Sequence, residues 1–544
     1  MWSYIQRRQI RRSVRSEYLN HEAKTERGKS TESLAHSRSK DLRPKGSHPA
    51  GSRHGGISHD LETEAGKSNA EDNKDAGCGN PIVVKTTDET DAFDPRNWPL
   101  SSRCQNIAIL SLLIFVQGWA GAADSMGNSK ASEEFRVSKV AESLSTAMYL
   151  FGVGSGAIFF GPFSETVGRN PSYLVSTFCY LWFVFGSAMT PTFGGQVVCR
   201  YFVGLFSSAT LSINGASVRD QFHPVKRAWV FPVIAWANVA SPVIAPIAGG
   251  WIVSNPNLGW RWTEWITLII SGFAFLVALF FMPETYLPLL LDWKAKEIRR
   301  MTGDCRYTSE FAQKKSFFKR LKETLPMPIA FFKSEPAIIV LGIYLILLYV
   351  LLFTFQSGFD YIFKETYELS TGLTGSCFAA VAAGATVFTL CAPILYALAR
   401  RHTAYVRRSW LDPEFRLWPA ILTAPFLPVS LFWLGWTNYP SVSIWSGLGA
   451  CFVFGIALIA IYVSVYEYII DSYGEHSAIA LSSITMVRYL VAGSMSIASR
   501  PMYGGIGVHW TLTLLGCIAA ILTPAPLLLY KYGPKLRQRS PYSE

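Results

Sequence analysis

Most ionisable residues of this chain gather in polar segments, but Asp124, Arg200, Glu467 and Arg488 stand in or at the edge of long apolar runs. A charge in apolar surroundings must find a partner or change protonation, so these four are candidates for proton coupling, ion pairing and substrate orientation. Asp124, which follows Gly118 and Gly121, has two readings: it attracts a cationic substrate, or it is the solvent-facing end of its run. Glu467 lies beside Tyr462, Tyr466 and Tyr468 and suits either protonation or a structural pair near a membrane edge. Arg200 opens the string Arg200-Tyr-Phe-Val-Gly204, and Arg488 is flanked by Met486 and Tyr489; a buried guanidinium needs an acceptor in each case. Bond-making chemistry has no comparable set. His223, His402, His476 and His509 fall in different connections or near membrane edges, with no Ser/His/Asp or His/Cys/Asp constellation, and no GxxxxGK[ST] phosphate loop is present. Neither an enzyme nor a built-in ATP motor is indicated.

The elements that must position these residues are membrane spans. A helix needs about 20 mostly apolar residues to cross a bilayer, because its internal hydrogen bonds leave no peptide group unsatisfied in lipid. Twelve such runs are predicted, at 106–123, 143–163, 172–190, 196–217, 229–253, 263–282, 337–358, 372–396, 417–437, 444–466, 476–498 and 509–530. Six precede and six follow a basic connector, which gives an all-α membrane protein of two six-helix bundles: 106–286, a central connector 287–335, and 336–530. Two bundles rocking about a shared midplane site is the architecture of alternating access, so a carrier is the favoured class over a receptor or membrane enzyme.

Charge orients the chain. The formal charge of +12 would suit nucleic acid, yet the positive residues sit in tails and particular loops: Arg7 to Arg15, Arg169, Arg219, Lys226 and Arg227, the central connector, Arg400 to Arg408, and Lys531 to Arg539. The positive-inside rule then places both termini and the connector in the cytoplasm, with Lys130, Arg136 and Lys139 as an outward minority. Residues 1–105 are polar and lack a long apolar run, so they are expected to be a disordered cytoplasmic tail, and 531–544 a short one. The nine cysteines show no metal-type pair and are expected to be thiols, including Cys78 and Cys305 in cytoplasmic segments.

A set of aromatic and amide residues could line a central cavity or merely pack: Asn214, Trp236 and Asn238 in the first half, and Tyr344, Tyr349, Gln356, Tyr462, Tyr466 and Tyr489 in the second. Backbone motifs are more specific. Gly161-Pro-Phe-Ser-Glu165-Thr-Val-Gly168-Arg169-Asn-Pro171 combines glycines for close approach and a tight turn with a carboxylate and a guanidinium. Ala240-Ser-Pro242-Val-Ile-Ala-Pro246-Ile-Ala-Gly249-Gly250 places two prolines and a glycine pair in one span, which bends the helix and frees carbonyls.

These strings resemble the signatures of the major facilitator superfamily. The string from Gly161 resembles the latch between helices two and three, with Glu165 where aspartate is commonest and Asn170 in place of a frequent basic residue. The string from Ala240 is similar to the antiporter motif, and Arg200 is similar to an arginine implicated in proton coupling. With Gly259-Trp-Arg-Trp262, Pro283-Glu-Thr-Tyr286, Asp471-Ser-Tyr-Gly474, Arg488 and the series from Pro501 to Trp510, the stretch 93–530 resembles the fungal twelve-helix drug:proton antiporters, which include multidrug and polyamine exporters. The resemblance implies proton-coupled efflux of amphipathic drugs or secondary metabolites in the plasma membrane, and two bundles in one chain suffice for such transport as a monomer. It implies no cofactor, only the transmembrane proton gradient, the lipid bilayer, protons and a small molecule as partners, and no nucleic acid. Polyamine export, nutrient import, a non-transporting sensor and a vacuolar or vesicular membrane remain the alternatives.

Overall fold

A computed structural model describes residues 3, 6–16, 81–86, 91, 93–309, 322–323, 325–406 and 413–538. Twelve helical segments in it are long and apolar enough to cross a membrane. They are α1 (Leu100–Glu134), α2 (Lys139–Val167), α3 (Arg169–Met189), α4 (Phe193–Gln221), α5 (Pro224–Ser254), α6 (Trp262–Phe281), α7 (Pro336–Glu365), α8 (Thr371–His402), α9 (Pro413–Trp436), α10 (Ile444–Tyr473), α11 (Ser477–Ile506) and α12 (Val508–Arg537). Each matches one predicted span, but many run further. α10 continues past 466 to Tyr473 and α11 past 498 to Ile506, because the backbone ladder needs only helical partners whereas hydropathy registers the lipid-facing turns alone. The extensions carry Asp471 and Arg500, both of which form ion pairs.

The first six helices pack among themselves through the α2–α4, α3–α4, α1–α5 and α3–α6 pairs, and the last six through α8–α10, α7–α11 and α9–α12. The halves meet chiefly where α2 lies along α11 and α5 along α8, with α10 also reaching α5. Small residues allow this. A Cβ at Gly250 of α5 would come 2.8 Å from the Thr371 carbonyl, and one at Gly375 of α8 would come 2.5 Å from the Pro246 carbonyl. We therefore expect Gly250→Leu to wedge α5 from α8 and abolish transport with surface expression retained, read by flux per copy of protein.

Two compact units partition the chain. The larger holds all twelve spans. The smaller joins 7–85 to 291–313. In the smaller unit residues 7–16 are helical, Arg11 pairs with Glu297 at 3.0 Å, and Ile82–Val83 forms a two-residue parallel ladder with Tyr307–Thr308. The stretch expected to be a disordered tail thus contains ordered pieces, held by partners over two hundred residues away that no local composition reveals; the rest of it lies outside the described residues. Cys305 is disulfide-bonded rather than the thiol expected.

Candidate functional site

The latch segment is built around a carboxylate beyond α6. Glu284 Oε1 and Oε2 accept from the Arg169 and Asn170 amides, at 3.1 Å each, and from Thr285 and Tyr286 at 2.9 and 2.8 Å. It thereby caps the first turn of α3, where free N–H groups and the helix dipole favour an anion. Burial pushes the Glu284 carboxyl above its ordinary range, while those four amide donors pull the other way. Gln6 clasps the same residue, its amide donating to the Glu284 carbonyl at 3.0 Å and accepting from the Glu284 N–H at 2.9 Å.

Arg169, 2 % exposed, donates to Asp220 at the end of α4 (3.0 Å) and to Ser164 (2.6 Å), and its guanidinium stacks 5.0 Å above Tyr286. The carboxylate that accepts from the α3 amides in this segment is Glu284. Gly161 faces α11, where a Cβ would lie 2.4 Å from Ser482 Oγ. Gly168 turns the chain at φ +109°, ψ 167°, a region essentially reserved for glycine, and a Cβ there would meet the Glu284 carboxylate at 2.8 Å. Gly168→Ala is therefore expected to cost about 1–3 kcal/mol from backbone strain alone, measurable by thermal unfolding in lipid nanodiscs.

The four ionisable candidates occupy three separate places. Arg200 and Asp124 come together with Glu264, all buried near the ends of α4, α1 and α6 away from the termini. The Arg200 guanidinium pairs with Asp124, lies 3.3 Å from Glu264 Oε1, and donates to the Ala120 carbonyl at 2.7 Å; Ser187 Oγ donates to Glu264 at 3.0 Å. Of the two readings for Asp124, the solvent-facing one is not formed, since the residue is only 7 % exposed. The regular helix of α1 ends at Ala120, and the irregular turn that follows swings the Asp124 carboxylate back over Arg200.

At the opposite ends of the helices, Glu467 accepts from Arg416 of α9 at 2.6 Å. Arg416 also donates to Asp471 at 2.8 Å and to the Pro224 carbonyl at 2.5 Å, and Asp471 pairs with Arg227 of α5. This network crosses from the first half to the second. In the linear sequence Arg227 reads as a loop charge, and Arg416 has no motif to single it out. The usable signal is the i,i+4 spacing of Glu467 and Asp471, which puts two carboxylates on one helix face and demands cations opposite.

Arg488 stands apart, fully buried on α11 among four tyrosines. Its guanidinium carbon lies 3.9 Å from the ring centre of Tyr349, 5.1 Å from Tyr489, 5.6 Å from Tyr466 and 5.7 Å from Tyr462. Expected to pair with a carboxylate, it meets none among the described residues, and all three of its nitrogens lack a hydrogen-bond partner. The rings offer their negative faces instead. The cage belongs to both halves: Tyr349 Oη donates to Asn238 Oδ1 of α5 at 2.9 Å, and Phe231 of α5 stacks on Tyr466 at 5.9 Å. Pro242 helps to place Asn238. Lacking an N–H, it leaves the Asn238 carbonyl without its helical donor, and Ser241 Oγ donates there at 3.4 Å. Pro246, Gly249 and Gly250 continue along α5, Gly249 against the Ala123 carbonyl of α1 and Gly250 against α8.

The remaining expected pocket residues divide. Tyr344 and Gln356 are buried on α7 with the Tyr344 hydroxyl and both Gln356 amide atoms unpaired, while Asn214 bonds back to the Leu211 carbonyl of its own helix at 3.1 Å. Trp236 belongs to the seam: its indole donates to Thr386 of α8 at 2.9 Å, and its ring borders a separate apolar groove of about 560 Å³ beside Phe115 and Trp229. No group of three His, Cys, Asp or Glu able to hold a metal occurs among the described residues.

Residues 107–497 match the family model described as Major Facilitator Superfamily. The MFS-type transporter kojT of Aspergillus flavus is 40 % identical over 84 % of this chain and 82 % of its own length, and the citrinin biosynthesis cluster MFS transporter mrr1 of Monascus ruber is 29 % identical over 89 % and 98 %. Among solved structures, the proton:xylose symporter XylE superposes over 80 % of this chain and 96 % of its own with a TM-score of 0.57 at 14 % identity, a likeness of fold. Twelve helices in two bundles, a buried polar cage at their seam and these matches together place the chain in the major facilitator superfamily, as a transport protein rather than an enzyme.

Proposed function

We propose that this transporter exports an amphipathic secondary metabolite or drug in exchange for protons, by alternating access about the seam between its halves. The observation that carries the reading is the buried Asp124–Arg200–Glu264 cluster. Two carboxylates face one guanidinium there, so uptake of one proton brings the cluster to neutrality, and a buried cluster that changes charge alters how α1, α4 and α6 pack. The proline-interrupted α5, which runs from this end to the Arg227 network and carries Asn238 of the cage, is the element able to couple the two events. The relatives support a metabolite cargo, since one of them is named for a citrinin biosynthesis cluster.

Polyamine export is disfavoured by a specific feature. The three carboxylates that are candidates for holding a polycation are already ion-paired: Asp124 and Glu264 with Arg200, Glu467 with Arg416. Cytoplasmic termini, supported by the distribution of positive loops, and function as a monomer, supported by a two-bundle path within one chain, complete the proposal, with the plasma membrane taken from the family resemblance. The test is time-resolved efflux of labelled secondary metabolites, fungicides and polyamines from loaded cells expressing the intact chain, with and without collapse of the proton gradient. Gradient-dependent efflux is expected. Gradient-independent uptake makes the chain an importing facilitator, and saturable binding without turnover makes it a sensor.

A further inference from the structure

The Arg488 cage has a one-sided hydrogen-bonding inventory. A guanidinium presents five N–H donors in a planar fork and no acceptor, yet none of the Arg488 nitrogens is engaged. The adjoining unpaired atoms are the Asn238 side-chain nitrogen, a further donor, and the Tyr462 and Tyr466 hydroxyls, which can donate. Among the described residues no carboxylate pairs with Arg488: Glu467, one residue beyond Tyr466, is held through Oε2 by Arg416, with its Oε1 unpaired. A buried, unpaired cation costs several kcal/mol, and tyrosine π-faces compensate only in part. Such a group is retained inside a membrane protein for a partner that arrives.

From this we infer that the cage binds the substrate, and that the substrate is a small planar organic monoanion, carrying a carboxylate or a phenolate oxygen on an apolar ring. The single guanidinium sets the charge at one. The fork favours a carboxylate or a pair of adjacent oxygens, which it can engage bidentately. The four rings set the shape, because faces that now surround the guanidinium offer a flat apolar body a stacking surface. Residues of both halves contribute, Asn238 and Phe231 from α5 and the others from α7, α10 and α11, so a bound anion would lie across the seam that alternating access must open and close. The inference rests on the transport reading proposed above and narrows its substrate.

The test uses the full chain purified in lipid nanodiscs and titrated calorimetrically with matched triplets on benzene and naphthalene rings. Within each triplet one compound is a carboxylic acid, one its neutral amide, and one the corresponding amine. At least one acid is expected to bind about tenfold or more tightly than its neutral match, the amine not at all, a ratio in line with a charge-assisted pair. Arg488→Gln is expected to bring the acid down to the level of the neutral compound, with Arg488→Lys intermediate. Should Arg488→Gln fail to fold, Tyr462→Phe and Tyr466→Phe keep the rings and remove only hydroxyls, and each is expected to weaken the acid severalfold more than its neutral match. Equal affinity for acid and neutral compound, a preference that survives in folded Arg488→Gln, or no acid binding at all overturns the inference. Gradient-driven efflux of neutral or cationic compounds alone overturns it while leaving the transport reading intact; acid binding without gradient-dependent efflux does the reverse.

Discussion

Replacing Arg200 with glutamine is expected to destabilise the protein by about 3–5 kcal/mol, because it leaves Asp124 and Glu264 buried with no counter-charge. Arg200, Asp124 and Glu264 are 1, 7 and 1 % exposed, so solvent does little to screen the repulsion that results. The triple variant Arg200→Gln, Asp124→Asn, Glu264→Gln removes the charges together and is expected to recover most of that loss. Denaturant unfolding in nanodiscs measures both. An Arg200→Gln chain as stable as the parent contradicts the buried cluster. For function the informative change is Asp124→Asn alone, which leaves one carboxylate on the guanidinium. Substrate exchange down its own gradient is expected to persist, while accumulation driven by the proton gradient falls at least tenfold. Equal loss of both activities points to a purely structural cluster.

Asp471→Asn is expected to release the junction between the halves at the end carrying the termini. Asp471 is the residue through which Arg227 of α5 and Arg416 of α9 are held together, and its loss leaves two buried cations with Glu467 alone. Removing one partner of a buried pair costs more than the pair itself contributes. A shift of about 1.4 kcal/mol toward the state open at that end multiplies its population tenfold. Thiol labelling reads this directly, using a cysteine at Ala228, which is buried one residue from Arg227, in a chain whose free cysteines are replaced. Labelling is expected to rise about tenfold, and transport to fall because the junction no longer re-forms. Unchanged labelling assigns the network to stability and not to gating.

The latch shows how far linear reading reaches. The Gly161–Pro171 string marks a tight turn with close helix contact, and the turn forms at Gly168 with the contact at Gly161. The carboxylate that organises it, Glu284, lies more than a hundred residues later, in the string Pro283-Glu-Thr-Tyr286. Arg488 illustrates the converse. Its burial is legible from its place in an apolar run; that it meets aromatic faces and, among the described residues, no carboxylate is not, because ring orientation depends on the rotation of three helices about their axes.

By itself the sequence determined the number of spans, their division into two sets of six, the polar connector between them and four of the charges that are buried, Asp124, Arg200, Glu467 and Arg488. These follow from transfer free energy, which is a local sum over consecutive residues. The tertiary structure decided which charges share a partner: Asp124 with Arg200 and Glu264, Glu467 and Asp471 with Arg416 and Arg227, Arg488 with none. It also decided that α5 touches α8 and α10, and that the helices run on past their apolar windows to carry those charges. Such pairings depend on helix rotation and on register. They are properties of the distances between segments remote in sequence, and no sum along the chain contains them.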